Sequence, residues 1–189
     1  MNDIYIAPGR KSKDPVCVSN EIKVDWNKDD GKLTFSKGKD AITMDIKLDA
    51  VELDIKENQL TVNGLKSNPN SKALAGTYRS IIQNAATGLE NPWQVDLIFE
   101  GVGYKVMPGN GPRAVALHVG YSSPRNFILP ENISFEIVDN NRRLNLKGID
   151  KQELMQVAAK IRKNRTPNAY SGKGIRYSDE VIHKKEVGK

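Results

Sequence analysis

"RLNLKGIDKQELMQVAAKIRKN", residues 143–164, carries a short strand directly into a helix. Leu144 and Leu146 alternate with polar neighbours, the two-residue period of a strand with one face buried. From Asp150 the period changes. Leu154, Val157, Ala158 and Ile161 fall at i, i+3, i+4 and i+7, which places them on one face of a helix. Asp150 and Glu153 stand where an N-cap and its reciprocal partner at the third helical position belong.

The same order occurs earlier in the chain. "QLTVNG" (59–64) leads to "SKALAGTYRSIIQNAATG" (71–88), where Leu74, Tyr78, Ile81, Ile82 and Ala85 share a helical face. Gly76 inside that helix costs roughly 1 kcal/mol against Ala, so the helix must lean on packing. Gly88 suits its C-terminal stop. Further out, "KLTFS" (32–36), "ITMDIKL" (42–48) and "VELDI" (51–55) precede the first strand-helix pair. "QVDLIFEGVGYKV" (94–106), "AVALHVGY" (114–121), "RNFIL" (125–129) and "ISFEI" (133–137) precede the second. All read as strands.

The two series align. At an offset of 82, Leu33, Phe35, Gly38, Val51, Leu53 and Ile55 meet Val115, Leu117, Gly120, Ile133, Phe135 and Ile137. At 84, Leu60, Val62, Gly64 and Leu65 meet Leu144, Leu146, Gly148 and Ile149; at 80, Leu74 and Ile81 meet Leu154 and Ile161. Two small indels in turns reconcile the offsets. The fold class expected is α+β, as two tandem duplicated domains, each an antiparallel sheet packed against a helix. The expected bounds are 1–91 and 92–166, with an extended basic C-terminal tail at 167–189. No periodicity survives after Pro167, and the tail is too polar to build its own core, so it is expected to be disordered or ordered by a partner.

The charge is one-ended. Of 29 Lys/Arg and 23 Asp/Glu in 189 residues, nine cations and three anions lie in residues 160–189, so the whole net charge of +6 sits there. Such a segment on an otherwise neutral chain favours an anionic partner. Cys17 is the only cysteine, which excludes an intramolecular disulfide and a cysteine-cluster metal site. No run of 18 apolar residues exists, and "MNDIYIAPGRKSKDP" (1–15) lacks the apolar region of a secretion signal and the pattern of a transit peptide. A soluble intracellular chain with no membrane partner is expected.

No catalytic constellation assembles. His118 sits in an alternating strand as a half-buried structural residue, and His183 lies among lysines. The adjacent carboxylates at 29–30 and 179–180 point apart, as neighbours in turns do. "GVGYKV" (101–106) has no third glycine and no following helix, so dinucleotide binding fails. "SGKGIRY" (171–177) lacks the upstream glycine and the Ser/Thr of a phosphate-binding loop. No enzyme, no cofactor and no small-molecule substrate are expected.

What remains is a basic and aromatic segment. Arg162, Lys163, Arg165, Lys173, Arg176, Lys184 and Lys185 supply cations that can follow a phosphodiester backbone. Gly172 and Gly174 flank Lys173 without side chains, which permits close backbone approach and positive φ. Tyr170 and Tyr177 can stack on a base or bond a ribose hydroxyl. An adaptor whose basic tail docks an acidic protein is the alternative, and it leaves the tyrosines and glycines without a task. An RNA-modifying enzyme would need a site that the sequence does not display.

"GVGYKV", "LHVGYSSP" (117–124), "LKGIDKQELMQVAAKIRKNRTPNAYSGKGIRY" (146–177) and "DEVIHKKEVGK" (179–189) closely resemble the bacterial and organellar form of the sixth protein of the large ribosomal subunit. The resemblance is dense from about Asp96 onward. The first half is similar more loosely, in length, strand order and "GRKSKDPV" (9–16). It implies two related α+β domains and a place on a cytoplasmic or organellar ribosome near the translation-factor site. There the second domain and the tail would grip large-subunit rRNA beside neighbouring proteins of the stalk base. It implies no catalysis. The family commonly carries Lys where this chain has Ser171, and an Arg-Arg pair near Ile182 and His183. The first domain is acidic around Asp25, Asp29, Asp30 and Asp45, which points it toward solvent or protein.

Overall fold

The computed structural model describes residues 4–5, 14–56, 58–65 and 68–185; the basic stretch at 9–13 lies outside them. The chain divides into two compact units, Met1–Asn91 and Pro92–Lys189.

In the first unit, strands β1 (Ile4–Tyr5) and β2 (Val16–Cys17) run along β7 (Gln59–Leu65), whose other edge carries β6 (Val51–Lys56). A second antiparallel sheet is made of β3 (Lys23–Asn27), β4 (Lys32–Lys37) and β5 (Asp40–Asp45). Helix α1 (Ser71–Glu90) packs on β7 and buries Ala75, Ile82, Ala85, Ala86 and Leu89. Leu33 and Phe35 of β4 are fully buried beneath it. The strand β3 was not legible in the alternation.

The second unit repeats this plan. β8 (Trp93–Glu100) and β12 (Ile133–Val138) flank β13 (Arg143–Gly148), and β9 (Lys105–Pro108), β10 (Ala114–His118) and β11 (Arg125–Ile128) form the smaller sheet. Helix α2 (Lys151–Lys163) buries Leu154, Val157, Ala158 and Ile161, the four positions its periodicity marks. β8 is therefore the continuous counterpart of β1 and β2 together. The offset moves from 82 to 84 because the β12–β13 turn is longer, and there Asp139, Asn140 and Asn141 all adopt positive φ. Asn and Asp tolerate that region better than other side chains. Gly38 (φ +64°) and Gly120 (φ +78°) make the same left-handed turn after β4 and β10.

Four expectations are corrected. Residues 94–106 are not one strand: Gly101 (φ +149°) and Gly103 (φ +75°) turn the chain between β8 and β9. Gly88 does not stop α1. It is buried within the helix, which ends at Asn91 in an extended conformation. Asp150 caps α2 by accepting from the Gln152 N–H at 2.7 Å, while Glu153 accepts from Asn132 at 3.4 Å. The segment after Pro167 is not separate from the second unit, because β14 (Gly174–Tyr177) pairs with β8 and buries Ile175 completely. One isoleucine in register with Phe99 supplies the apolar anchor that a search for periodicity cannot find in a four-residue strand.

Candidate nucleic-acid interface

The site begins where α2 ends. Lys160, Arg162 and Lys163 occupy its last turn, where cations are favoured by the helix dipole. Asn164 caps that turn: its side-chain N–H groups donate to the carbonyls of Lys160 (3.0 Å) and Ile161 (3.1 Å). With Ile161 fully buried, the exit point of the helix is fixed. The chain then folds back on itself. The Ile175 N–H donates to the Arg165 carbonyl at 2.8 Å, the Asn168 N–H to Lys173 at 3.0 Å, and the Gly172 N–H to Asn168 at 2.8 Å. The Asn168 side chain accepts from the Tyr170 N–H at 2.7 Å. Residues 168–173 thus form a closed, self-bonded turn.

Between this turn and the end of α2 lies a groove of about 560 Å³. Lys163, Arg165 and Lys173 line it, with Asn164 and Asn168 between them and Tyr104 and Tyr121 behind. None of the three cations pairs with a carboxylate among the described residues. The Tyr121 hydroxyl donates to the Asn164 carbonyl at 2.9 Å, and its ring lies 5.6 Å from the Arg165 guanidinium and 4.2 Å from that of Arg125. Hydrogen-bonding interaction with the Tyr104 hydroxyl, and next with that of Tyr121, raises the Arg165 pKa above the ordinary arginine value.

The candidate residues divide. Lys163, Arg165 and Lys173 meet in the groove, and Gly172 (φ +72°) turns the chain at its lip. Tyr170 is 59 % exposed and open to a partner. Lys184 and Lys185 are exposed, and the Lys185 N–H donates to the Ala169 carbonyl at 2.9 Å. The rest turn inward. Arg162 forms a two-pronged pair with Glu180, which raises the Arg162 pKa and lowers that of Glu180. Arg176 pairs with Glu100 at 2.7 Å. Tyr177 packs against the core beneath Arg162, and burial pushes its phenol above the ordinary value. A Cβ on Gly174 would lie 2.6 Å from the Pro167 Cα, so its close approach is to this chain's own backbone. Arg162, Arg176, Tyr177 and Gly174 thus engage this chain's own residues and hold the turn in place.

Tyr104, Tyr121, Arg125, Asn164 and Asn168 were not singled out from the sequence. An aromatic directly before a pair of serines and four residues before an arginine, as in "GYSSPR" (120–125), is the available signal. Tyr121 closes the strand-like stretch at 114–121, and nothing in linear order ties it to the end of α2.

The family model described as Ribosomal protein L6 matches residues 100–178, which spans "GVGY", α2, the groove and β14. Among curated proteins, the chain is 36% identical over 180 residues to the large ribosomal subunit protein uL6 of Marinobacter nauticus, covering 95% of this chain and 98% of that one. It is 39% identical over 181 residues to the protein of that name from Cellvibrio japonicus, and 38% over 182 residues to that from Chromohalobacter salexigens, at the same coverage. With both units and nearly the full length of these relatives matched, the chain belongs to the family of the large ribosomal subunit protein uL6.

Proposed function

We propose that the chain is a structural, non-catalytic constituent of the large subunit of the bacterial, cytoplasmic ribosome. It holds large-subunit rRNA in the groove between the end of α2 and the 168–173 turn. The observation that carries this reading is three cations, Lys163, Arg165 and Lys173, converging on one groove with no carboxylate among the described residues paired to them. Phosphates are the natural counter-charge, and backbone contacts of this kind set the position of a protein on a nucleic acid. The family resemblance adds the location, near the translation-factor site and the proteins of the stalk base.

Tyr121 bears on the mode of binding. A guanidinium already lies over its ring, so the groove favours phosphate and ribose over stacked bases. Tyr170, outside the groove, is the ring left free to stack. The test is titration of the full chain onto a large-subunit rRNA transcript at several salt concentrations, beside co-sedimentation with large subunits. Binding with a steep salt dependence that Lys163→Ala, Arg165→Ala and Lys173→Ala each reduce is expected. Affinity for an acidic protein in place of the transcript would turn the reading toward the adaptor.

A further inference from the structure

Arg125 is not among the residues that line the groove, yet one of the groove's tyrosines holds it. Gly120 (φ +78°) turns the chain after β10, and Tyr121 then reaches the end of α2, where its hydroxyl donates to the Asn164 carbonyl at 2.9 Å. That carbonyl is itself fixed, because the Asn164 side chain closes the last turn of the helix. Four residues on, Arg125 opens β11 in register with Leu117, which is fully buried. The short loop between Tyr121 and Arg125 is thus pinned at both ends. It brings the Arg125 guanidinium to 4.2 Å from the centroid of the Tyr121 ring, with that of Arg165 at 5.6 Å from the same centroid.

Both distances fall within the range at which the negative face of an aromatic ring attracts a cation. Tyr121 is 40 % exposed, so the attraction is modest: it orients the arginine without neutralising it. Arg125 is exposed, and no carboxylate among the described residues pairs with it. Arg162 and Arg176 are the contrast, since Glu180 and Glu100 engage their guanidiniums. Two unneutralised guanidiniums gathered on one ring repel each other, and an anionic backbone that meets both offsets that repulsion. A planar fork already held in place also gives up less rotamer freedom when a phosphate arrives than a free one does.

We propose that Arg125 is a further RNA-contacting residue, held beside Arg165 by the Tyr121 ring, so that the rRNA backbone seated in the groove continues along the start of β11 and meets a fourth cation there. The proposal rests on the reading of the groove as an rRNA site. It assigns a backbone phosphate, not a base edge, to Arg125, so the contribution of this residue depends on salt and not on base sequence.

Titration of the full chain onto a large-subunit rRNA transcript at several salt concentrations tests it, with Lys163→Ala and Lys173→Ala measured alongside. Arg125→Gln should make the slope of log affinity against log salt shallower by about 0.7 to 1 with the thermal midpoint unchanged, and Arg125→Lys should keep the parent's slope. Tyr121→Leu leaves both charges in place. It should weaken binding roughly two- to fivefold at an unchanged slope, and by less in the Arg125→Gln background. If Arg125→Gln keeps the parent's slope while the two lysine variants become shallower, Arg125 is no RNA contact, and the groove stands without it. If Tyr121→Leu costs as much in the Arg125→Gln background as in the parent, the ring does not hold Arg125 and the positioning is overturned. If neither lysine variant changes the slope, the RNA reading of the groove fails, and the proposal with it.

Discussion

Arg162 and Glu180 join the last turn of α2 to the turn after β14 through two parallel hydrogen bonds, one of them 2.9 Å from Arg162 Nε to Glu180 Oε2. Glu180 Oε2 also accepts from the Tyr177 N–H at 3.2 Å, and the guanidinium lies 5.7 Å from the Tyr177 ring. A cation that reads as a phosphate ligand thus also fastens the fold. Arg162→Ala leaves a carboxylate that is 26 % exposed without its partner. The expected loss is about 1 to 3 kcal/mol of stability in urea unfolding, between an exposed and a buried pair. The salt slope of rRNA binding should not change.

The same pair sets a pH dependence. The Arg162 guanidinium holds the Glu180 carboxyl below its ordinary value of 4.5 in the folded chain. The unfolded chain then takes up the proton first as pH falls. The stabilisation is full above the ordinary glutamate value and is lost as pH drops through the lower folded value. Urea midpoints for the parent and Glu180→Gln should differ at pH 7 and converge on acidification below 4.5. A difference that stays constant down to that range would remove Glu180 from the account.

Gly174 and Gly172 flank one lysine but do different work. A Cβ on Gly174 meets the Pro167 backbone at 2.6 Å with φ at +151°, whereas one on Gly172 meets the end of the Lys184 side chain, Cε at 2.9 Å and Nζ at 3.5 Å, with φ at +72°. Backbone cannot yield as a lysine end can. Gly174→Ala is expected to destabilise by more than 2 kcal/mol, roughly, and Gly172→Ala by about 1, the cost of a left-handed conformation alone. Thermal or urea unfolding of the two variants gives the order directly.

Residue-level periodicity carried most of this architecture. Leu154, Val157, Ala158 and Ile161 could be marked because a helix repeats its signal over several turns, and the constant offset paired Leu33 with Val115 and Phe35 with Leu117 for the same reason. β14 was illegible because Ile175 is its one apolar anchor, and its partner Phe99 lies far away in sequence. The groove was half legible. Lys163, Arg165 and Lys173 lie within one short segment, so counting charge found them. Whether a cation is free depends on a carboxylate elsewhere: Glu100 neutralises Arg176 from 76 positions upstream, which no local reading detects.

The turn at 168–173 is expected to be ordered before any RNA arrives. The Gly172 and Ile175 N–H groups are bonded to Asn168 and Arg165 at 2.8 Å each, and Ile175 is fully buried. Both amides should exchange slowly in the free protein, at rates set by unfolding of the second unit. Exchange at the rate of an open chain in the absence of RNA would mean that the turn forms only on binding.

Charge position, not charge count, should decide rRNA affinity. Lys163→Ala and Lys173→Ala remove cations that no carboxylate among the described residues engages, so each should weaken binding by about 1 kcal/mol and make the log–log salt slope shallower by roughly 0.7 to 1. Arg176→Ala removes the same charge but also breaks the pair with Glu100, 2.7 Å long and 43 % exposed on the glutamate side. It should lower stability and leave the slope where it was. Tyr170→Ala is a third kind of change: an exposed ring that stacks on a base contributes about 1 to 3 kcal/mol with little salt dependence. Tyr177→Phe, half-buried beneath Arg162, should leave RNA affinity unchanged. These variants, titrated onto one transcript at several salt concentrations with their melting curves beside them, form two groups if the geometry governs. If instead every lost cation, Arg176 included, reduced the slope equally, the basic segment would be binding as a diffuse charge, and the groove would have no distinct part in holding the RNA.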